Sequence, residues 1–249
     1  CIYEYVGTNM NKEKLLYENS KHALQSDNII AITNRHLCNR PFMEQLERVC
    51  KLHPHAIVLR EKDMPEAEYL SLARDVIALC KKYDVQCMLH SFINVAIELE
   101  HPYIHLPLPI LEAYVKKNVS GNISTGMSKS TDNYQQFFKV IGTSVHSVED
   151  AIKAEQLGAT YMTAGHIFAT DCKKGLPPRG LDFLKNVCDA VGIPVYAIGG
   201  INIASSDDST ASDSPSAYDA MPDISVPRLA EVMECGAAGG CIMSGMMRV

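Results

Sequence analysis

Several features are missing from this 249-residue chain, and each absence removes a class of protein. No apolar run approaches the ~20 residues that a membrane-spanning helix needs. No secretory signal pattern opens the chain, so no membrane partner is expected. There is no surplus of positive charge: 23 Lys and Arg stand against 29 Asp and Glu, a net charge of −6. A nucleic-acid footprint needs clustered cations, so no nucleic-acid partner is expected either. A small phosphorylated ligand stays open, because a few cations suffice for it. The nine cysteines form no CxxC pair and their number is odd. Reduced, buried thiols in a cytoplasmic protein are the expectation. The chain opens on Cys1 rather than Met, so a native start upstream of it is expected.

What is present is an alternation. The chain is 47% hydrophobic, enough for a sizeable core. Short apolar, β-rich runs alternate with segments of helical period. Strands are expected at "IIAIT" (29–33), "HAIVLR" (55–60), "VQCML" (85–89), "YIHL" (103–106), "FKVIGTS" (138–144), "TYMTA" (160–164), "IPVYAIGG" (193–200) and "GGCIMSG" (239–245). Pro41 and Pro65 stand near the starts of two helices. Their inner stripes are Phe42, Leu46, Val49 and Cys50, then Leu70, Ala73, Val76, Ile77 and Cys80. A short helix is expected near 93–99. Another starts at Ser147, an N-cap with Asp150 at the capping-box spacing, and stops at Gly158. Leu181, Leu184, Val187 and Cys188 mark a further one.

Eight strands alternating with helices predict an α/β protein, a single-domain (β/α)8 TIM barrel over residues 27–249. A doubly wound sheet is the runner-up, but "AITNRHL" after the first strand lacks its glycine fingerprint. Two polar stretches, 118–135 and 202–223, read as long surface loops. Only "SGMMRV" follows Met243, so the eighth helix is expected to be missing or replaced. Residues 1–26 form an N-terminal extension with a weak helical period at 11–24, which could cover that side.

A barrel fixes where the chemistry lies: at the C-terminal ends of the strands, with phosphate sites favouring the loops after strands seven and eight. Strand seven ends in Gly199-Gly200 and strand eight in Ser244-Gly245. Glycines let backbone N–H groups approach an anion closely, and Ser244 adds a hydroxyl. Strand two ends "LREKD". Arg60 and Lys62 are two residues apart and can both point into the mouth; the alternative is a solvated charged turn with Glu61 and Asp63. Strand six runs into "GHIFATDCKKG" (165–175). There His166 is placed to take and give a proton near neutral pH. Lys173 and Lys174 add cations, and Cys172 could be a thiol nucleophile or simply structural. Metal binding is not expected, because His166, Asp171 and Cys172 have no companion cluster at ligand spacing.

Five stretches, "LREKD", "GTSVHSVEDA", "EQLGATYMTAGHIFATDCKKGLPPRGL", "IPVYAIGGIN" and "ECGAAGGCIMSG", together resemble the thiamine phosphate synthase/TenI family in the same order. The likeness spans about residues 29–245, with the two polar loops as insertions. It implies a barrel that binds thiamine precursors. The family's synthase branch joins a pyrimidine pyrophosphate to a thiazole phosphate with Mg²⁺. Its TenI-like branch isomerises a thiazole carboxylate phosphate without metal. Ser91 and Ile110 stand where the synthases carry magnesium-holding aspartates, and "GHIFATDCKKG" is similar to the TenI pattern, which implies His166 as the acid/base. Gly200 and Ser244 match the thiazole-phosphate site. Ser144, Thr170 and Lys173 match other ligand-contacting positions, and Arg60 and Lys62 match the pyrophosphate contacts. The reading is therefore a thiazole tautomerase with no cofactor. The alternatives are a thiamine phosphate synthase using Mg²⁺, or a non-catalytic regulator binding a thiamine precursor. The expected partner is a small phosphorylated thiazole, and a homo-oligomer stays open.

Overall fold

A computed structural model describes residues 28–121, 137–170, 173, 175–203 and 226–249. Eight parallel strands close into one barrel in sequence order: β1 (Ile29–Ile32), β2 (Ala56–Leu59), β3 (Gln86–His90), β4 (Tyr103–Pro107), β5 (Val140–Val145), β6 (Tyr161–Gly165), β7 (Val195–Ile198) and β8 (Gly239–Ile242). Helices α1 (Phe42–Lys51), α2 (Glu66–Lys82), α3 (Ile93–Glu98), α4 (Leu108–Gly121), α5 (Val148–Gln156), α6 (Gly180–Ala190) and α7 (Arg228–Glu234) follow the first seven strands in turn. The expected (β/α)8 barrel is the fold.

After β8 the described chain forms turns over residues 244–248, with no helix among them. Met246 and Met247 are buried there, and Gln45 of α1 donates its Nε2–H to the Met246 carbonyl at 2.7 Å. The proposed helical cover at 11–24 and most of the two polar stretches lie outside the described residues. One part of the first stretch is corrected. Residues 118–121 are not loop but the last turn of α4. Pro107 ends β4 and Pro109 is the second residue of α4, a position where a missing N–H costs nothing.

Side chains alternate across each strand, which sorts the core into two parts. Ile30, Ile32, Ala56, Val58, Met88, Tyr161, Tyr196 and Cys241 share one parity and form the cluster inside the barrel. Leu46, Val49, Cys50, Tyr69, Ala73, Val76 and Cys80 pack outside, between helices and sheet. One step further along the inward parity come Arg60 after Val58, His90 after Met88, and Thr163 after Tyr161. The strand pattern itself therefore carries these polar residues to the mouth. Ser147 caps α5 as expected, accepting from the Asp150 N–H at 3.0 Å.

Tyr69 is the residue of α2 that the apolar stripe alone does not reveal. It is fully buried. Its hydroxyl donates to the Leu59 carbonyl at 2.6 Å and accepts from the His90 N–H at 3.0 Å, tying the ends of β2 and β3 to one helix. Tyr69→Phe leaves both backbone groups short of a partner. It should lower unfolding free energy by about 1–3 kcal/mol, read as a shift in the urea midpoint with unchanged slope.

Candidate functional site

The loop after β6 lines a cleft of about 420 Å³ together with the end of β5. Its walls are His146, Gly165, His166, Lys173 and the run from Leu176 to Arg179. His166 is half-buried, with one long contact from Nε2 to the Leu176 carbonyl at 3.4 Å. The ring is therefore available to a ligand. Beneath it lies the β7 turn. Gly199 and Gly200 have φ of 101° and 69°, the left-handed region that favours glycine. A Cβ on Gly199 would stand 2.4 Å from His166 Cβ, and one on Gly200 would stand 2.6 Å from the Ala169 carbonyl oxygen. The two glycines allow the β6 and β7 loops to nest. Arg228 secures this turn, donating to the Gly200 carbonyl at 2.9 Å with its guanidinium 4.3 Å from the Phe168 ring centre. Ser244 reaches the same corner through Asn202 at 3.5 Å, and Gly245 packs on Ile203.

A second group of residues gathers across the mouth. Glu61 is 2% exposed. It accepts from Thr33 Oγ1 at 2.7 Å, from the Arg35 N–H at 3.1 Å and from the Arg35 guanidinium at 2.9 Å. Arg35 also forms a two-pronged pair with Asp63 at 2.8 and 2.6 Å, and this holds Asp63 well below the usual carboxylate range. The "LREKD" segment does turn, with Lys62 and Asp63 exposed, but Glu61 is buried and both carboxylates face Arg35, which ties down the backbone from which Arg60 and Lys62 extend. The Lys62 ammonium titrates below its ordinary value because of desolvation, then because of the positive charges of Arg60 and Lys173. These three cations come from β2 and from the β6 loop, and they share one electrostatic neighbourhood.

Two buried histidines complete the mouth. His90 and His105 sit opposite each other in the β3–β4 register and stack at 5.7 Å with 15° between ring planes. His105 bonds Tyr161 Oη through Nδ1 and Ser144 Oγ through Nε2, both at 2.9 Å. Ser144 in turn accepts from Thr163 Oγ1 at 3.0 Å. His90 Nδ1 lies 2.8 Å from Ser91 Oγ. Burial pushes His90 down to about 2, and the unfavourable charging of His105 beside it and the cations Lys62 and Arg60 add to this. Burial, then Arg60 and Lys62, push His105 down to about 3. Both rings are neutral in the fold but protonate when it opens. Stability is therefore full above the ordinary imidazole value of 6.5 and is lost as pH falls toward about 3. His105→Gln should flatten this acid limb, measured as urea midpoint against pH.

The structure brings His166, Lys173, Gly199 and Gly200 together, and sets Arg60, Lys62 and Ser144 at the same mouth. Thr170 opens the turn whose carbonyl accepts from the Lys173 N–H at 3.0 Å. Asp171, Cys172 and Lys174 lie outside the described residues. His146 and Arg179 line the cleft and were not singled out from sequence. His146 stands two residues after Ser144 at the end of β5, and that position is the signal that could have found it. Among the described residues no cluster of His, Cys, Asp or Glu could hold a metal ion, and no helix is long and apolar enough to cross a membrane. Ser91 and Ile110 offer no carboxylate, and Glu61 and Asp63 are bound to Arg35. This donor set does not fit a hard divalent cation.

Fold and mouth together define the class: a (β/α)8 barrel whose strand-end loops carry an imidazole, cations and a glycine turn. A family model described as "Thiamine monophosphate synthase" matches residues 29–214. The chain is 35% identical over 173 residues to a putative thiamine-phosphate synthase 2 of Aquifex aeolicus, covering 70% of this chain and 84% of that one. It is 30% identical over 175 residues to a thiamine-phosphate synthase of Caldanaerobacter subterraneus, covering 70% and 75%. A solved thiamine phosphate pyrophosphorylase from Pyrococcus furiosus superposes with a TM-score of 0.62 at 25% identity, covering 90% and 89%. The chain belongs to the thiamine phosphate synthase/TenI family, whose members are enzymes of thiamine biosynthesis.

Proposed function

We propose that this chain is a thiazole tautomerase of thiamine biosynthesis, acting in the cytoplasm on a thiazole carboxylate phosphate by metal-independent proton transfer through His166. The observation that carries the reading is the half-buried His166 imidazole, set in a cleft beside Lys173 and Arg179 and directly above the Gly199–Gly200 turn. The substrate is a dihydrothiazole whose exocyclic double bond keeps the ring from being aromatic. A base removes the proton from the ring carbon that bears the carboxylate. The freed electron pair moves into the ring, the exocyclic double bond shifts, and the exocyclic carbon takes a proton. The gain of aromaticity drives the step, so the protein has to position the substrate, move one proton and steady the transient negative charge. Gly199, Gly200, Ser244 and Gly245 are assigned to the phosphate. Lys173 and Thr170 bound the ring. Arg60, Lys62 and Ser144 face the carboxylate side.

A second reading is a thiamine phosphate synthase, and the names of the relatives favour it. The trio Arg60, Lys62 and Lys173 would suit a pyrophosphate. The mouth weighs against it, since no carboxylate stands at Ser91 or Ile110 to hold magnesium. Two parallel incubations separate the readings. With thiazole carboxylate phosphate in EDTA, the aromatic isomer should accumulate. With pyrimidine pyrophosphate, thiazole phosphate and Mg²⁺, no thiamine phosphate should form. Enzymic production of thiamine phosphate would make the second reading correct.

A further inference from the structure

His146 is the second imidazole of the cleft, and its chemistry is set by its neighbour. Its Nδ1 lies 2.8 Å from the Gly165 carbonyl oxygen. A carbonyl only accepts, so Nδ1 carries the hydrogen. In the neutral ring Nε2 is then the nitrogen with the free lone pair, because one ring nitrogen donates and the other accepts. No hydrogen bond occupies that Nε2 among the described residues, and the side chain is exposed along the cleft wall. Gly165, whose carbonyl holds His146, is also the residue before His166. The two rings are thus anchored to consecutive residues at the end of β6, one through the chain and one through a hydrogen bond. His146 comes from β5 and His166 from β6, so they enter the same cleft from neighbouring strands.

We propose that His146 is a second proton-transfer residue, working with His166 as a pair. This rests on the tautomerase reading. The carbon that loses a proton and the carbon that gains one are different atoms of the substrate, one in the ring and one outside it. A single imidazole would have to carry its proton from one to the other. Two imidazoles divide the task. One accepts the proton from the ring carbon as that C–H bond breaks, and the electron pair passes through the ring. The other, entering the step protonated, releases its proton to the exocyclic carbon as that C–H bond forms. Proton number is conserved: the base ends protonated, the acid ends neutral, and exchange with solvent resets both. Neither a metal nor a redox partner enters the balance.

The test uses substrate carrying deuterium on the ring carbon beside the carboxylate, with the intact chain in ordinary water. A pair predicts product whose exocyclic carbon carries hydrogen from solvent and essentially no transferred deuterium. A single shuttling imidazole hands part of the label across. The matching variant is His146→Asn, whose side-chain amide nitrogen can occupy the Nδ1 position and keep the bond to Gly165 while removing Nε2. Its kcat should fall about 10²-fold or more, with KM within about threefold. His146→Ala, which also loses the Gly165 bond, serves as the comparison should the Asn side chain settle differently. Retained deuterium in the wild-type product would overturn the pair, and so would wild-type kcat in either folded variant. If the wild-type chain gives no acceleration at all, the tautomerase reading falls and takes the pair with it. That outcome is distinct from an active wild type with an active His146→Asn.

Discussion

His166→Ala should lower tautomerisation by roughly 10²–10⁴-fold, close to the uncatalysed rate, while binding of the phosphorylated aromatic product stays within a few-fold. The imidazole is half-buried and, among the described residues, holds only the long contact to the Leu176 carbonyl, so its removal leaves none of them buried and unpaired. The fold should lose little. His166→Gln keeps a polar group of similar reach but can neither accept a proton from carbon nor donate one to it at neutral pH. It should bind product and remain inactive. Equilibrium titration of product set beside initial rates separates the two effects. Full activity in either variant would remove His166 from the mechanism.

Gly199→Ala should be nearly as severe, through geometry instead of chemistry. The φ of 101° strains any side chain there. The new Cβ would also lie 2.4 Å from His166 Cβ and 2.8 Å from its Cα, so His166 itself must move. Strain of this kind costs about 1–3 kcal/mol in stability. A displacement near 1 Å at a reacting group costs about 10²-fold in rate. The expected result is a folded protein with a lowered melting temperature, a kcat reduced about a hundredfold, and a weaker hold on phosphate from the disturbed turn. Wild-type kcat in Gly199→Ala would show that the β6 and β7 loops do not need to nest for catalysis.

The barrel was legible because its strands are short and apolar and alternate with segments of helical period, and all eight fall within a few residues of the expected runs. The misses have local causes. Helix α4 begins amid Pro107, Leu108 and Pro109 and ends in Asn, Val, Ser and Gly, so neither its start nor its end carries helical periodicity. Helix α7 is seven residues long and follows a polar, acidic stretch that hides it. At the mouth, Arg60, Lys62, His166, Gly199 and Gly200 could be placed from their positions at strand ends, and Lys173 from the loop after β6. The contacts that organise them could not. Glu61 looks like one charge in a charged turn until Thr33 and Arg35, from another strand end, are seen to bury it. The His90–His105 stack depends on strand register, and the link between His146 and Gly165 crosses from the β5 loop to the end of β6. Such pairings are tertiary, and no spacing within one segment encodes them.

One measurement tests the central claim most directly. Protein stripped of metal with EDTA is given the non-aromatic thiazole carboxylate phosphate, and proton NMR follows the aromatic isomer against the uncatalysed reaction. The account predicts a large acceleration, unchanged by added Mg²⁺ and absent in His166→Ala. An uncatalysed rate in the wild-type protein, with thiamine phosphate appearing instead once pyrimidine pyrophosphate, thiazole phosphate and Mg²⁺ are supplied, would contradict it.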